Sequence, residues 1–219
     1  MRLSRLPNLI FWDFDGVIKE SVEVKTEAFA ELFQPYGSAT AERVRSHHEA
    51  NGGMSRFEKF PIYLQWADAE PTSERVAELC RQFAQLVRQR VIDSPWVAGA
   101  EEFLRGNPFG QSFVLVTATP RGEIEDILAA LELNGCFKEV FGAPVSKKDA
   151  IRAVLAEGDL DPEECLFIGD AMADLDAAAA NRVPFLLRLH ATNKKAFACY
   201  GGNAVEELNQ LCAELKRFV

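Results

Sequence analysis

The hydrophobic residues of this chain fall into two patterns, short apolar segments and stripes with helical spacing. Continuous apolar runs are typical of parallel strands that are buried on both faces of a sheet. Segments of this kind occur at residues 9–11, 113–116, 140–141 and 166–168, and residues 184–189, interrupted by Arg188, form a further predicted strand. Because helical stripes alternate with them, the chain is predicted to be an α/β protein with a Rossmann-like, three-layer core around a parallel sheet.

Helical spacing dominates the region between the first two segments. Four helices are predicted there, one ending near residue 36 and the others at residues 41–50, 55–67 and from 72 onward. The fourth helix carries a clear apolar stripe, made of Val76, Leu79, Phe83, Leu86, Val87 and Val91. The pattern predicts a helical cap domain at residues 19–94, inserted into an α/β core made of residues 1–18 and 95–219.

Several helices of the core are predicted from their first residues. Thr119 and Pro120 have the residue types of an N-cap and of a first helical position, so a helix is expected from there. Ser146 and Asp149 fit a variant of the capping box. Residues 190–203 show no clear pattern. The last helix is expected to present one apolar face, made of Val205, Leu208, Leu211, Cys212 and Leu215.

The charge balance limits the possible partners. The 219 residues include 24 Lys and Arg against 33 Asp and Glu, which gives a formal net charge of −9. An acidic chain repels phosphate backbones, so no nucleic-acid partner is expected. A small anionic substrate would need local cations or a metal ion to overcome this field.

Cysteine usage and hydropathy indicate the compartment. The five cysteines are dispersed and lack CxxC spacing, which favours reduced thiols over disulfides or a zinc site. No apolar run has the length of a membrane span, and the first seven residues lack the apolar segment of a secretory signal. The expectation is a cytoplasmic protein without a membrane partner, as a monomer or small homo-oligomer.

Several polar residues lie just past a predicted strand or at the start of a predicted helix. In a parallel sheet such positions share the carboxyl edge, where ligands bind. The first two acids alone would also fit a solvated turn. The full set comprises Asp13, Asp15, Thr117, Lys147, Asp170 and Asp174.

Three of these carboxylates would come close together. Asp13, Asp170 and Asp174 then need a cation, because two like charges about 4 Å apart repel by roughly 4 kcal/mol at an effective dielectric constant of about 20. A set of oxygen ligands favours a hard cation, so Mg²⁺ is the expected cofactor. Lys147, at the start of a helix, and the Thr117 hydroxyl could bind phosphate oxygens.

The order of these motifs resembles the haloacid dehalogenase superfamily. The chain carries Asp-x-Asp-Gly-Val at residue 13, then a strand ending in Thr117, then Lys147, then Gly-Asp-x-x-x-Asp around Asp170. The resemblance implies that Asp13 is the nucleophile that forms an aspartyl-phosphate. It also implies that Asp15 is the general acid and then the base.

The same resemblance implies how the metal and phosphate are held. Mg²⁺ would bind the Asp13 carboxylate, the Asp15 backbone carbonyl and Asp170, with Asp174 in support. Phosphate would bind Thr117, the backbone of Ala118, and Lys147. Two alternatives stay open: Lys148 could replace Lys147, and Thr117 could be an ordinary strand-end hydroxyl. Residues 16–21 would form the segment that opens and closes the cap.

The cap resembles that of the β-phosphoglucomutase and phosphoglycolate phosphatase branch. Its segment from Gly53 to Arg56 is similar to the Gly-x-Ser-Arg loop of those caps, which implies that Arg56 reaches the substrate. Lys25, Ser55 and Lys59 are further candidates for substrate contact. The alternative for Arg56 is a solvated side chain between two helices. The adjacent pair His47 and His48 is expected on the polar cap surface, because no further metal ligand lies near it.

These observations predict a magnesium-dependent phosphatase that acts on a small phosphorylated metabolite, such as a sugar phosphate. One alternative is a phosphosugar mutase of the β-phosphoglucomutase type. Another is a non-catalytic regulatory domain on the same fold, although the intact acidic motifs argue against it.

Overall fold

The apolar segments form a single parallel sheet. The computed structural model describes residues 5–216, so residues 1–4 of the predicted core and residues 217–219 lie outside the described part. The strands are β1 (Leu9–Trp12), β2 (Ser112–Pro120), β3 (Glu139–Ala143), β4 (Cys165–Gly169), β5 (Phe185–Arg188) and β6 (Asn203–Val205). They pair in the order β3-β2-β1-β4-β5-β6, and every pairing is parallel.

Strand β1 shows why the core has three layers. Alternate residues of a strand point to opposite faces, and all four residues of β1 are buried. Leu9 and Phe11 belong to the apolar cluster on one face, while Ile10 and Trp12 belong to the cluster on the other. The core helices are α5 (Ala100–Gly106), α6 (Arg121–Ala130), α7 (Lys147–Glu157), α8 (Met172–Ala180) and α9 (Leu211–Lys216). The predicted three-layer α/β core is confirmed.

The insert between β1 and α5 is a group of four helices, which we call the cap. It comprises α1 (Val22–Phe33), α2 (Ser38–Ala50), α3 (Arg56–Trp66) and α4 (Ser73–Asp93), with a 3-10 turn at Gln34–Tyr36. Phe29 is central to its interior, with its ring centroid 4.1 Å from that of Phe83 and 5.3 Å from that of Phe60. Within residues 5–216, no helix combines the length and the hydropathy needed to cross a bilayer.

The two chain segments that join cap and core run side by side. The N–H of Glu20 donates to the carbonyl of Pro95 at 2.9 Å, and the N–H of Val97 donates to the carbonyl of Ile18 at 3.0 Å. The predicted boundaries of the cap fall at this pair of segments. The division into two domains itself stays a prediction.

Two predicted helix starts are wrong. Thr119 and Pro120 extend β2, and the helix begins at Arg121. Proline fixes φ but not ψ, so Pro120 takes an extended ψ of 140° and aligns with Ala143 of β3. Val205 belongs to β6, beside Arg188, and not to the last helix, which begins at Leu211.

The expectation that both cap histidines lie on the surface is wrong for His48. Its ring is buried 4.8 Å from the Phe29 ring, and its Nδ1 lies 2.7 Å from the Nζ of Lys59. A hydrogen-bonded partner allows a polar ring to be buried in this apolar environment.

Candidate active site

Three carboxylates meet at the carboxyl edge of the sheet. Asp13 directly follows β1, Asp170 directly follows β4, and Asp174 lies in the first turn of α8. One oxygen from each lies within 4.8 Å of the others, and all three residues are buried. The predicted convergence of these acids therefore exists in the structure.

Lys147 provides the positive charge beside these acids. Its Nζ lies 2.8 Å from Oδ1 of Asp13 and 2.5 Å from Oδ1 of Asp174. Burial alone would lower the pKa of Lys147, but the two carboxylates outweigh burial and raise it above its ordinary value. Lys148 is exposed on the next position of α7. The geometry thus places Lys147, and not Lys148, in the site.

Asp174 is held by the loop that carries Asp170. Its Oδ2 accepts hydrogen bonds from the backbone N–H of Asp170 at 3.1 Å and of Ala171 at 3.0 Å. Its Oδ1 contacts Lys147. Both oxygens of Asp174 are therefore engaged, which suits a supporting position beside the site.

The acids are too crowded to ionise together without a cation. Burial raises the pKa of Asp13 and of Asp170 well above the ordinary aspartate value, and neighbouring carboxylates raise both further. Lys147 only partly offsets this effect. An all-oxygen donor set with excess negative charge fits a hard divalent cation such as Mg²⁺. Asp13 and Asp170 are the carboxylates best placed to hold it.

Asp15 is fixed by three polar side chains. Ser21 Oγ donates to its Oδ1 at 2.6 Å, Lys25 Nζ donates to its Oδ2, and Thr119 Oγ1 lies 3.4 Å from Oδ2. Burial would raise the pKa of Asp15, but the charge and hydrogen bond of Lys25 and the bond from Ser21 lower it below its ordinary value. In this arrangement Asp15 is ionised.

Gly16 makes the turn after Asp15 possible. Its φ is +74°, a value that residues with a side chain rarely adopt. A side chain at this position would also collide with the carboxylate of Asp170. The glycine therefore allows the segment after β1 to pass close to Asp170.

Two of the three predicted phosphate-binding residues, Thr117 and Ala118, lie near the end of β2, while Lys147 begins α7. Thr117 is buried, and its Oγ1 accepts a hydrogen bond from the backbone N–H of Thr119 at 3.2 Å. Ala118 lines a cavity between cap and core together with Asp13, Asp15, Lys147 and Asp170. We call this space the cap–core cavity. Thr117 lines a neighbouring cavity, which Ala118 and Lys147 also line.

The four cap candidates separate into two pairs. Lys25 and Arg56 line the cap–core cavity. Lys59 does not, because its Nζ is bound to His48 inside the cap. Ser55 does not either, because it forms the N-cap and capping box of α3 and lines a neighbouring cavity. Ser55 and Lys59 therefore lie outside the lining of the cap–core cavity, and their expected substrate contacts stay predictions.

The family of the chain follows from comparison of its sequence. A family model described as haloacid dehalogenase-like hydrolase matches residues 7–181. The chain belongs to this family. The family resemblance predicted from the motifs is confirmed over most of the chain. The protein is therefore a hydrolase.

Similar proteins agree with the predicted branch. Phosphoglycolate phosphatase 1 of Pseudomonas aeruginosa is 27% identical over 187 residues, which cover 81% of this chain and 67% of that protein. A phosphorylated carbohydrates phosphatase of Thermotoga maritima is 25% identical over 179 residues, covering 77% of this chain and 79% of that one. The structure of a predicted phosphatase from Clostridium acetobutylicum matches the fold with a TM-score of 0.76 at 18% identity, over 97% of this chain and 99% of that chain. These comparisons support a hydrolase of the phosphatase type.

Two residues that hold Asp170 were not predicted from the sequence. The Nε2 of His190 lies 2.8 Å from Oδ2 of Asp170, and Asn193 Nδ2 donates to the backbone carbonyl of Asp170 at 2.8 Å. Both residues follow β5, at the same edge of the sheet as the recognised acids. Their location just after a predicted strand could have indicated a site residue. Residues 190–203 lack a hydrophobic pattern, so no element or site was predicted there.

Two further ion pairs of this hydrolase were also missed. Arg188 of β5 contacts Glu20 with both terminal nitrogens and donates to the carbonyl of Gly16 at 3.2 Å. Arg56 pairs with Glu123 of α6. Nothing in the local sequence pattern indicates a contact between residues so far apart in the chain.

Proposed function

We propose that this hydrolase is a magnesium-dependent phosphatase that acts on a small phosphorylated metabolite, such as a sugar phosphate, through an aspartyl-phosphate on Asp13. The observation that carries the proposal is the buried pairing of Asp13 with Lys147, beside Asp170 and with Asp15 two residues further on. The phosphatase names of the similar proteins support a phosphate ester as the substrate.

The first half of the reaction transfers the phosphoryl group to Asp13. A carboxylate oxygen of Asp13 forms a bond to phosphorus while the bond from phosphorus to the ester oxygen breaks. The leaving oxygen takes a proton from the Asp15 carboxyl group. Lys147, the Thr117 hydroxyl and the Ala118 backbone N–H bind the phosphoryl oxygens. Because Lys25 keeps Asp15 ionised in this structure, the incoming phosphate must weaken that ion pair before Asp15 can carry the proton.

The second half hydrolyses the aspartyl-phosphate. The Asp15 carboxylate removes a proton from water, and the water oxygen bonds to phosphorus while the bond from phosphorus to Asp13 breaks. Inorganic phosphate leaves, and Asp15 is protonated again for the next leaving group. The lowered pKa of Asp15 suits this step, because the base must be ionised to accept the proton.

The metal would be held by the Asp13 carboxylate, Asp170 and the backbone carbonyl of Asp15, with Asp174 fixing the loop around it. When bound, Mg²⁺ supplies charge neutralisation for the phosphoryl oxygens and the carboxylates. Lys25 and Arg56 are the proposed cap residues at the substrate, because both line the cap–core cavity.

A panel of phosphate monoesters tests the proposal. We expect Mg²⁺-dependent release of inorganic phosphate from at least one member, and its loss in Asp13→Asn. A matched control is Asp159→Asn, because Asp159 is exposed in the turn before β4, at the opposite edge of the sheet. Asp159 has a positive φ of 45°, which asparagine also adopts readily. Full activity of Asp13→Asn would contradict the proposal.

The same panel separates the phosphatase from the mutase. With glucose 1-phosphate, a phosphatase releases inorganic phosphate and a mutase forms glucose 6-phosphate. We expect release without isomerisation. No reaction with any member, with or without Mg²⁺, would favour the regulatory alternative.

A further inference from the structure

Every cation that lines the cap–core cavity, within residues 5–216, is paired with a carboxylate. Lys147 contacts Asp13 and Asp174, and Lys25 contacts Asp15. The remaining cation is Arg56, which reaches the cavity from the cap. Because Lys25 is already paired, the pairing of Arg56 decides whether the cap side of the cavity carries a free positive charge.

Arg56 is neutralised by a residue of the core. Its two terminal nitrogens donate to the two carboxylate oxygens of Glu123 at 2.8 and 2.7 Å. The side chains are only 4% and 9% exposed, and the Arg56 guanidinium carbon lies 4.4 Å from the centre of the Phe83 ring. A bidentate pair with this burial is little screened by solvent.

Glu123 is firmly fixed by its place in the fold. It lies in the first turn of α6, where the helix dipole favours a negative charge. The helix begins directly after β2, the strand that carries Thr117 and Ala118. Glu123 is therefore anchored beside the phosphate-binding segment and points its charge at the cap.

The rest of the cap side is neutral. Val22, Phe29, Met54 and Phe83 line it with apolar groups. His48 also lines it, but burial and then the positive charge of Lys59 lower the pKa of His48 well below its ordinary value. Among the described residues, no uncompensated positive charge faces the part of a substrate that lies beyond its phosphoryl group.

We propose that Glu123 is a specificity-determining residue that restricts this hydrolase to phosphate monoesters whose alcohol portion is uncharged. Glu123 does not itself line the cavity, but it compensates the charge of Arg56. A carboxylate or a second phosphate beside Arg56 would therefore enter a buried site without a free positive charge to stabilise it. An uncharged alcohol portion avoids this cost. The bidentate pair uses two of the five guanidinium donors, so donors of Arg56 remain for hydroxyl groups.

This inference rests on the proposed phosphatase function and adds a limit on the charge of its substrates. Phosphoglycolate, which appears in the names of some similar proteins, carries a carboxylate in its alcohol portion. A sugar bisphosphate, which a phosphosugar mutase must hold, carries a second phosphate. Both are expected to be poor ligands of this chain.

Matched substrates isolate the effect of one charge. Phosphoglycolate and 2-hydroxyethyl phosphate differ only in a carboxylate against a hydroxymethyl group, and 3-phosphoglycerate and glycerol 3-phosphate form a second such pair. For the wild type we expect kcat/KM to be at least about tenfold higher for the uncharged member of each pair. A wild-type preference for the carboxylate member would overturn the inference.

Glu123→Gln tests the residue itself. It keeps the size of the side chain but frees the charge of Arg56, so the ratio of kcat/KM should move at least about tenfold toward the carboxylate substrates. The double variant Arg56→Gln, Glu123→Gln removes both charges and should return the ratio toward the wild-type value. Glu125→Gln is the matched control, because Glu125 is exposed on the same helix and should leave the ratio unchanged.

A generic substrate tests the phosphatase function separately from the proposed substrate preference. Hydrolysis of p-nitrophenyl phosphate that depends on Asp13 reports the proposed function and the folding of each variant. Its absence in the wild type, together with no phosphate release from any member of the panel, would overturn the proposed function and this inference with it. If that activity is intact in Glu123→Gln but the ratio between matched substrates does not change, the inference alone is overturned. If Glu123→Gln fails to fold, the preference of the wild type between matched substrates decides the question.

Discussion

At the scale of single residues, Lys147 does more than balance charge. Its Nζ contacts Asp13 and Asp174 at once, so it holds the proposed nucleophile in position beside the loop of the other acids. An exposed lysine at the same place could be replaced at little cost. This buried lysine cannot, because its loss leaves two carboxylates without their shared partner.

We therefore predict that Lys147→Met lowers kcat/KM for p-nitrophenyl phosphate by about 100-fold or more. Lys148→Met is the control, since Lys148 is exposed one position further along α7, and it should retain nearly full activity. Steady-state kinetics of the two variants decide between the two lysines. Equal losses in both, or a larger loss in Lys148→Met, would contradict the assignment.

The burial of Lys59 leads to a second prediction, which concerns the pH dependence of stability. The residue is fully buried, and burial, together with the charge of Lys25, lowers its pKa from 10.5 to about 7. The unfolded chain therefore binds more protons than the folded chain between these two pKa values. In that window the free energy of unfolding must rise with pH.

We predict that the wild type gains about 2 kcal/mol of stability relative to Lys59→Met between pH 7 and pH 9. Urea unfolding of both proteins at the two pH values measures this difference. The substitution also removes the partner of His48, but above pH 7 that loss is constant and cancels in the comparison. A difference that is independent of pH would contradict the lowered pKa of Lys59.

At the scale of elements, the segment after β5 contacts Asp170, a proposed metal ligand. His190 Nε2 lies 2.8 Å from one oxygen of Asp170, and Thr192 Oγ1 lies 2.8 Å from the other ring nitrogen, Nδ1. Burial, and then the charge of Arg188, lowers the pKa of His190 to about 4, so the ring is neutral near pH 7. A neutral ring with its proton on Nε2 donates to Asp170 and fixes the direction of the carboxylate.

His190→Phe should weaken Mg²⁺ binding by about 10–100-fold, the usual cost of removing a group that orients a metal ligand. Calorimetric titration of the metal-free protein with Mg²⁺ measures this directly and does not depend on turnover. Lys194→Met is a suitable control in the same segment, because Lys194 is exposed and pairs with Glu206. Unchanged affinity in His190→Phe would show that His190 does not position Asp170.

The sequence allowed most of the elements to be predicted but not every contact between them. Buried strands produce continuous apolar runs, so the sheet and the edge that carries Asp13, Asp170 and Lys147 could be inferred. Pro120 was misplaced because its φ fits both a helix start and an extended residue.

Contacts between distant segments were not predictable from local patterns. His190 lies in a stretch without periodicity, and the Arg56 and Glu123 pair joins residues on separate elements of cap and core. Such contacts depend on how the elements pack, which a single sequence does not encode locally.

At the scale of the whole molecule, negative charge is in excess both over the chain and at the proposed site. The chain carries a net charge of −9, and the buried acids at the sheet edge add local repulsion. A raised pKa in the folded state means that Asp170 favours folding only at low pH, and that its contribution is lost as pH rises through the raised value. Without a cation, the site therefore destabilises the fold near neutral pH.

Two outcomes follow for thermal unfolding at pH 7.5. Mg²⁺ should raise the Tm of the wild type, because a ligand at 100 times its Kd stabilises the folded state by about 2.7 kcal/mol. Metal-free Asp170→Asn should have a Tm at least as high as the metal-free wild type and should respond little to Mg²⁺. Calorimetric scans with and without MgCl₂ check both outcomes. An equal response of both proteins to Mg²⁺ would place the metal elsewhere.

In the proposed mechanism, Asp13 receives the phosphoryl group and Asp15 is needed to release it. p-Nitrophenolate is a good leaving group that needs no protonation, so Asp15→Asn should still complete the first half of the reaction with p-nitrophenyl phosphate. Rapid mixing of this variant with the substrate and Mg²⁺ is predicted to give a burst of about one nitrophenolate per active site, followed by little turnover. The double variant Asp13→Asn, Asp15→Asn should give no burst. A burst that persists without Asp13, or steady turnover without Asp15, would contradict the account.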